Sequence, residues 1–386
     1  MTDKNGIDIE KAAEFLDLPP SRFSGLLEKR TIIHNWDEYQ NLFRFDSHVS
    51  GIEEGSVLIV KDDSFELIRG FPKIKRAMTL VPSIERNFSE AGSVIVEEKM
   101  NGYNVRVTEY RGELIALTRS GHVCPYSTER ARHLLNHDFF KEHPELVIYG
   151  EMVGPDNPYV PKDIYGLESL DFFVFDIRYK ADGKPLPVMK RRELAGNYGF
   201  TQVKLFGEFD IQQASAEITE IIRELGKTEH EGVVIKDPEM VLQPIKYTCS
   251  EGNNADLRHA FRFYNDSGRD YMFPRVVREG FQSFEWNESE EELKQRCLRL
   301  GESILRPMIQ SIREVENNKR ISEDVRIRVK DRDTIDRFRS YLERLGVDVV
   351  FSDPERIGDE YLVRINKVNQ STTDKTKSIL EGQLWS

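Results

Sequence analysis

The chain is poor in features that would stabilise or anchor it outside a packed core. Its 386 residues include three cysteines, Cys124, Cys249 and Cys297. Cysteines so few and so far apart make neither a disulfide framework nor a zinc-ligand spacing, and they point to a reducing compartment. Long hydrophobic runs are missing as well. SVLIV and FFVF are strand-sized and too short to cross a bilayer, and the polar start MTDKNGIDIEK has no secretory core. These absences predict a cytoplasmic protein. An excess of positive charge is also absent: 55 Lys and Arg against 67 Asp and Glu give a formal net charge of −12. That argues against a general polyanion binder but leaves room for one local basic groove, for which FPKIKRA and MKRRE are available. There is no internal repeat and no low-complexity tract.

What is present suffices for several packed cores. Apolar residues make up 39% of the chain and aromatics 10%, which predicts two to four modules. Residues 1–66 read as a helical start followed by strands, with a hairpin signal in GSVLIVKDDSFELIRG. Residues 67–250 are rich in short strands separated by Gly, Pro, Asn and Asp, without regular helix-length crossovers, so a mostly antiparallel α+β domain is expected. From 251 to 316 the period becomes helical. Leu293, Cys297, Leu300, Ile304, Met308, Ile312 and Val315 draw one apolar stripe behind a possible capping box at Ser289 and Glu292. Such a stripe packs either on the chain's own domains or on a second copy of the chain. Residues 317–386 read strand, helix, strand, strand, helix, a small α+β module.

Two lysines compete for attention, Lys99 in EEKMNGYNV and Lys180 in RYKADGKP. KADG is a strand end followed by an Asp-Gly turn, ordinary hairpin chemistry that makes Lys180 an exposed turn residue. A further K-x-x-G at Lys204, in KLFG, shows how easily the string arises by chance. Lys99 has a different sequel. A lysine that accepts a nucleotidyl group must present a neutral amine, which nearby cations and partial burial favour. A triphosphate needs cations, a divalent metal needs carboxylates, and a base is held well by an aromatic face. The chain supplies these parts in order: Asn104, then Arg119 in ALTRSGHV, Glu151 in VIYGEMVG, Phe173 and Phe175 on one face of DFFVFDIRY, Glu231 and Lys236 in HEGVVIK, and Lys246 in QPIKYT. Singly each has a bland alternative as a core ring or a strand-end charge. HLLNH, which sets His133 and His137 four apart, lacks a third ligand and reads as a helix face.

The ordered series from Lys99 to Lys246 resembles the covalent nucleotidyltransferases, the polynucleotide ligases and messenger-RNA capping enzymes. Within them, GFPKIKRA ahead of the lysine, the Glu98-Lys99 start, and Asn104 after Gly-aromatic are similar to RNA ligases. Length, the helical block after Lys246 and the small tail are similar to the archaeal homodimeric ATP-dependent RNA ligases. The resemblance implies a ligase-type nucleotidyltransferase core at 67–250 with an N-terminal module at 1–66, a helical dimerisation module at 251–316 and an α+β module at 317–386. It implies Lys99 as the acceptor of AMP from ATP and Lys236 and Lys246 as ligands of the α-phosphate. Glu98, Asn104, Arg119, Glu151, Phe175 and Glu231 would complete nucleotide binding, with Phe175 stacked on adenine and Phe173 as the alternative ring. Glu151 and Glu231 would hold Mg²⁺ or Mn²⁺, the acceptor would be RNA, and the protein a homodimer. A DNA ligase or other covalent nucleotidyltransferase, or a non-catalytic dimeric RNA- or nucleotide-binding protein, are the alternatives. Two departures matter. Asn101 stands where K-x-D-G has Asp, and Thr248 stands where the last block usually has a second lysine. One cation fewer predicts unusual sensitivity at Lys236 and Lys246. No R-x-D-K block follows: RVKDRD has the residue types in the wrong order, and a guanylyl-transfer role is disfavoured.

Overall fold

A computed structural model describes residues 7–36, 39–61 and 64–385. The N-terminal segment holds helices α1 (Ile9–Phe15) and α2 (Pro20–Glu28) and strands β1 (Ile32–His34), β2 (Leu42–Phe45), β3 (Val57–Val60) and β4 (Phe65–Ile68). It is followed by β5 (Lys75–Arg76), α3 (Val81–Asn87), β6 (Ser93–Lys99), β7 (Tyr103–Tyr110), β8 (Glu113–Thr118), α4 (Pro125–Leu134), α5 (His137–Glu142) and β9 (Leu146–Val153). Then come β10 (Asp171–Tyr179), α6 (Val188–Asn197), β11 (Leu205–Asp210), α7 (Ile211–Lys227), β12 (Gly232–Lys236) and β13 (Ile245–Thr248). Three helices, α8 (Ser250–Arg262), α9 (Arg269–Glu285) and α10 (Glu290–Glu316), precede the tail. The tail comprises β14 (Ser322–Val329), α11 (Asp333–Arg344), β15 (Asp348–Phe351), β16 (Glu355–Ile357), β17 (Glu360–Val368) and α12 (Gln370–Leu380). The α+β expectation holds, with short strands paired antiparallel except for β13 and β5. No helix among the described residues is long and apolar enough to cross a membrane.

The chain divides into two compact units, each assembled from separated stretches. The first comprises Met1–Lys73, Tyr103–Met152 and Asp171–Gln202. Its sheets run β1-β2-β3-β4 and β10-β9-β7-β8. The hairpin read from GSVLIVKDDSFELIRG is present as antiparallel β3 and β4; Asp62 and Asp63 of its turn lie outside the described residues. Asp8 starts α1 by accepting from the Glu10 and Lys11 amides, an ordinary N-cap. Arg106 is fully buried inside this unit and donates to the carbonyls of Arg69 (2.9 Å), Gly55 (2.7 Å) and Thr118 (2.7 Å). Burial pulls its guanidinium down to about 10.

The second unit comprises Ile74–Gly102, Val153–Leu170 and Val203–Ser386. Its central sheet runs β11-β6-β12-β13-β5. Alternate residues Val94, Val96, Val233, Ile235, Ile245 and Tyr247 form one core with Ile84 and Phe88 of α3 and Ala214, Ile218 and Ile222 of α7. Period-two alternation sends the intervening side chains to the opposite face. Both β11 and β12 run antiparallel to β6, so α7 is a helix-length crossover between two strands of the same direction. The sequence reading had expected none. In the tail, a sheet ordered β14-β17-β15, with β16 added on β17, buries Ile335, Phe338, Tyr341 and Leu342 of α11.

Two expectations need correction. His133 and His137 do not share a helix, because Leu135 and Asn136 separate α4 from α5 and Asn136 caps the second. Lys180 sits in a turn, but its side chain is only 12% exposed and pairs with Glu66 at 2.8 Å; the partner lies 114 residues upstream, beyond the reach of local pattern. The stripe on α10 starts from the expected capping box at Ser289 and Glu292. Yet the residues it buries against its own chain are Arg296, Ser303, Pro307, Ser311 and Val315. Leu293, Cys297 and Ile312 stay exposed, with Leu298, Leu305 and Ile309 beside them.

Candidate active site

The sequence-derived residues fall into two groups, one in each unit. In the second unit they lie on the sheet face opposite the apolar core. Register places Lys99 beside Gly232 and Gly232 beside Thr248, while Glu97, Val234, Lys246 and Arg76 form the next row. Paired residues point to the same side of a sheet, so Glu97, Lys99, Lys246, Thr248 and Arg76 share one face. Lys236, two residues beyond Val234, joins them.

Two of the lysines on this face are matched with carboxylates. Lys99 Nζ forms an ion pair with the Glu231 carboxylate, both side chains largely out of solvent. Lys236 Nζ donates to Glu97 Oε2 at 2.7 Å, and this pair is almost fully buried. Glu231 reaches Lys99 because Gly232 breaks the alternation: its φ is +143°, and a Cβ there would lie 2.3 Å from the Tyr247 carbonyl oxygen. The Glu-Gly pair therefore has a steric cause. Beyond the strand, the Asp237 carboxylate accepts from the amides of Glu239, Val241 and Leu242, fixing the turn that returns the chain to Lys246.

Glu98 points the other way. Its carboxylate is buried against His230 Nδ1 at 2.6 Å, and its amide donates to the Lys204 carbonyl. The loop after the lysine is held by Tyr165, whose hydroxyl accepts from the Asn101 amide at 2.8 Å and whose ring lies 4.9 Å from that of His230. Asn101 Nδ2 is buried and finds no acceptor among the described residues. The stretch bearing Tyr165 is anchored to the tail, because the fully buried Asp156 pairs with Arg326 (2.6 Å) and Arg328 (3.1 Å).

In the first unit, Asn104 on β7 lies directly opposite Glu151 on β9. Asn104 Oδ1 is buried and accepts no hydrogen bond among the described residues. Phe173 and Phe175 share a half-buried face while Phe172 and Val174 are buried behind them. Phe175 meets Phe71 edge-on at 5.1 Å. Arg119 is exposed at the turn after β8. Its backbone is set by Gly55, where φ is +79° and a Cβ would fall 1.9 Å from the Arg119 carbonyl oxygen.

Sequence reasoning missed Arg76, Tyr165, Glu97 and His230. FPKIKRA did show a cation at position 76, but no local signal pairs it with β13, and nothing local marks the other three as partners of the site.

Residues 92–248 match the RNA ligase family and residues 259–383 match the C-terminal region of the ligase Pab1020. An uncharacterised protein of Methanocaldococcus jannaschii is 37% identical over 395 residues, covering 100% of this chain and 99% of that one. An archaeal ATP-dependent RNA ligase, solved in forms 1 and 2, is 42% identical over 98% of this chain and 100% of that one, with a TM-score of 0.92 in each form. A candidate ATP-dependent DNA ligase from Aquifex aeolicus is 25% identical over 95% of this chain and 100% of that one, with a TM-score of 0.87. The chain belongs to the archaeal ATP-dependent RNA ligase family.

Proposed function

We infer that the chain is an ATP-dependent RNA ligase that joins a 5′-phosphate to a 3′-hydroxyl in three nucleotidyl transfers. The observation that carries this reading is the sheet face on which Lys99 pairs with Glu231 beside Lys236 and Lys246. In the first transfer Lys99 Nζ attacks the α-phosphorus of ATP. The N–P bond forms, the bond to the bridging oxygen breaks, and pyrophosphate departs. Glu231 is the carboxylate in reach of the proton that Nζ gives up. Lys236 and Lys246 offset charge on the α-phosphate. In the second transfer an oxygen of the RNA 5′-phosphate displaces Lys99 from the AMP, giving a 5′–5′ pyrophosphate linkage. In the third, the 3′-hydroxyl attacks the RNA phosphorus and AMP leaves.

For the remaining residues we assign Phe175 to the adenine face and Asn104 with Glu151 to the sugar. The unsatisfied Asn104 Oδ1 supports this, since a hydroxyl donor would complete it. Glu98 contributes through its backbone, its carboxylate being held by His230, and Arg119 is assigned to the incoming 5′-phosphate. The donor set suits Mg²⁺ or Mn²⁺. We assign Glu231 and Glu151 to the cation, with phosphate oxygens and water completing its shell. Bound there, the cation would neutralise phosphate charge.

The exposed Phe273 and Phe284 of α9 and Leu298, Leu305 and Ile309 of α10 support a homodimer through the helical module, residues 251–316. Leu305→Glu with Ile309→Glu is expected to halve the mass measured by light scattering; an unchanged mass would place the contact elsewhere. Three free cysteines, two of them buried, support the cytoplasm.

DNA as the acceptor is the second reading, supported by the Aquifex structure. The helices after residue 250, which the sequence reading counted against a DNA ligase, do not discriminate, because that protein shares the architecture. The test is incubation with α-³²P-ATP and Mg²⁺, then with 5′-phosphorylated RNA or DNA. Acid-labile label on the polypeptide that chases into sealed RNA supports the ligase. Label that chases only into DNA moves the second reading forward, and no label with any nucleotide removes covalent catalysis.

A further inference from the structure

Thr248 stands where the last block usually carries a second lysine, and the structure brings another cation to its side. Arg76 on β5 pairs in parallel register with Lys246. From there its side chain runs along the sheet face, and Nη1 donates to Thr248 Oγ1 at 2.9 Å and, more weakly, to Asn253 Oδ1 at 3.4 Å. Thr248 belongs to the same cross-strand row as Gly232 and Lys99. The guanidinium thus lies beside a residue two strands from the nucleophile, on the face that carries it, roughly 10 Å away by ordinary strand spacing.

Arg76 is half-buried, and its pairing differs from that of the lysines on this face. Lys99 has Glu231 and Lys236 has Glu97, whereas Arg76 has no carboxylate within ion-pair distance among the described residues. Its two partners are neutral oxygens. Burial lowers its proton affinity, Arg275 and Arg278 act in the same direction, and the Glu231 and Asp256 carboxylates oppose them in part. A partly desolvated guanidinium near two others, with no carboxylate in direct contact, is less favourable than an ion-paired one. An anion arriving at this face would remove the imbalance, and a guanidinium fork suits phosphate oxygens.

We propose that Arg76 binds the triphosphate of ATP, supplying from β5 the charge that a second lysine on β13 would otherwise carry. The proposal rests on the ligase reading above. It replaces the expectation of a cation deficit at Thr248: the charge is present, but it comes from a residue 172 positions away in sequence.

Equilibrium binding to the Lys99→Ala protein, which cannot turn over, tests it. Arg76→Gln in that background is expected to weaken ATP at least about tenfold, the scale of one charge-assisted contact, and to leave adenosine within twofold. Thr248→Lys added to Arg76→Gln is expected to restore most of the ATP affinity, and in the Lys99 protein most of the labelling rate. Arg76→Lys keeps the charge and carries the test if Arg76→Gln lowers the melting temperature; it should hold ATP affinity within about threefold. Unchanged ATP affinity in Arg76→Gln overturns the proposal. So does a loss shared equally by ATP and adenosine that Thr248→Lys leaves uncorrected, since that marks a purely structural role. If the otherwise unaltered protein neither binds ATP nor takes up label, the ligase reading falls as well, and the two failures are told apart.

Discussion

Lys99→Ala is expected to take up no label from α-³²P-ATP, a loss on the order of 10⁴-fold or more, as when a covalent nucleophile is removed. No other amine can replace it. Lys236 is committed to Glu97, and Lys246 lies two strands away in the next row. The same substitution should leave folding intact, because Lys99 ends its strand with its side chain 20% exposed. Removing it leaves the buried Glu231 carboxylate without its ion-pair partner, so a modest loss of stability is expected alongside the loss of label. Lys180→Ala is the matched control, since that lysine serves Glu66 in the first unit, and it should label like the parent. Label that survives Lys99→Ala and disappears with Lys180→Ala would reverse the choice between the two lysines. Partial label in Lys99→Ala would point to a second acceptor. Lys99→Arg separates charge from nucleophilicity and should be as inactive as the alanine variant.

Gly232→Ala should be among the most damaging small substitutions in the chain. The φ of +143° belongs to backbone that only glycine adopts readily, and the added Cβ would meet the Tyr247 carbonyl oxygen at 2.3 Å and the Thr248 Cα at 2.7 Å. Strain and clash together are expected to cost about 3 kcal/mol or more, a large part of the stability of an ordinary domain. Whatever relieves the clash must part β12 from β13, the strands that carry Glu231, Lys236 and Lys246. Adenylation should therefore fall along with stability. Urea denaturation of Gly232→Ala beside Gly112→Ala measures this. Gly112 also has a positive φ, +82°, but open space around it, so it should lose only about 1 kcal/mol. Equal losses at the two positions would mean that the contact with β13 yields freely and that the glycine is there for its backbone angle alone.

These two cases show how far the residues alone could be read. Lys99 stood out because the residues assigned to serve it recur in order along the chain, and order survives without coordinates. The antiparallel strands, the capping box on α10 and the shared face of Phe173 and Phe175 were legible because their period is local. Lys180 and Arg76 were misjudged or overlooked for one common reason. What decides each is a partner more than a hundred residues distant, Glu66 for the first and Thr248 for the second. The α10 stripe was drawn correctly as a helix, but the residues that helix buries against its own chain are largely polar ones off the stripe. Arg296 and Ser311 go inward there because Glu279 and the Arg262 carbonyl satisfy them, and polarity then ceases to signal exposure.

The ion pairs of Asp156 with Arg326 and Arg328 bear on how the protein can be dissected. They tie the stretch that carries Tyr165, and through it the amide of Asn101 beside Lys99, to the first strand of the tail. The last seventy residues are thus a keystone of the loop that follows Lys99 and not cargo appended to it. A shortened protein made to isolate the first transfer must retain β14, or it will present Lys99 on a loop that has lost its anchor. Transplanting the tail onto another ligase would succeed only where an acidic residue awaits the two arginines.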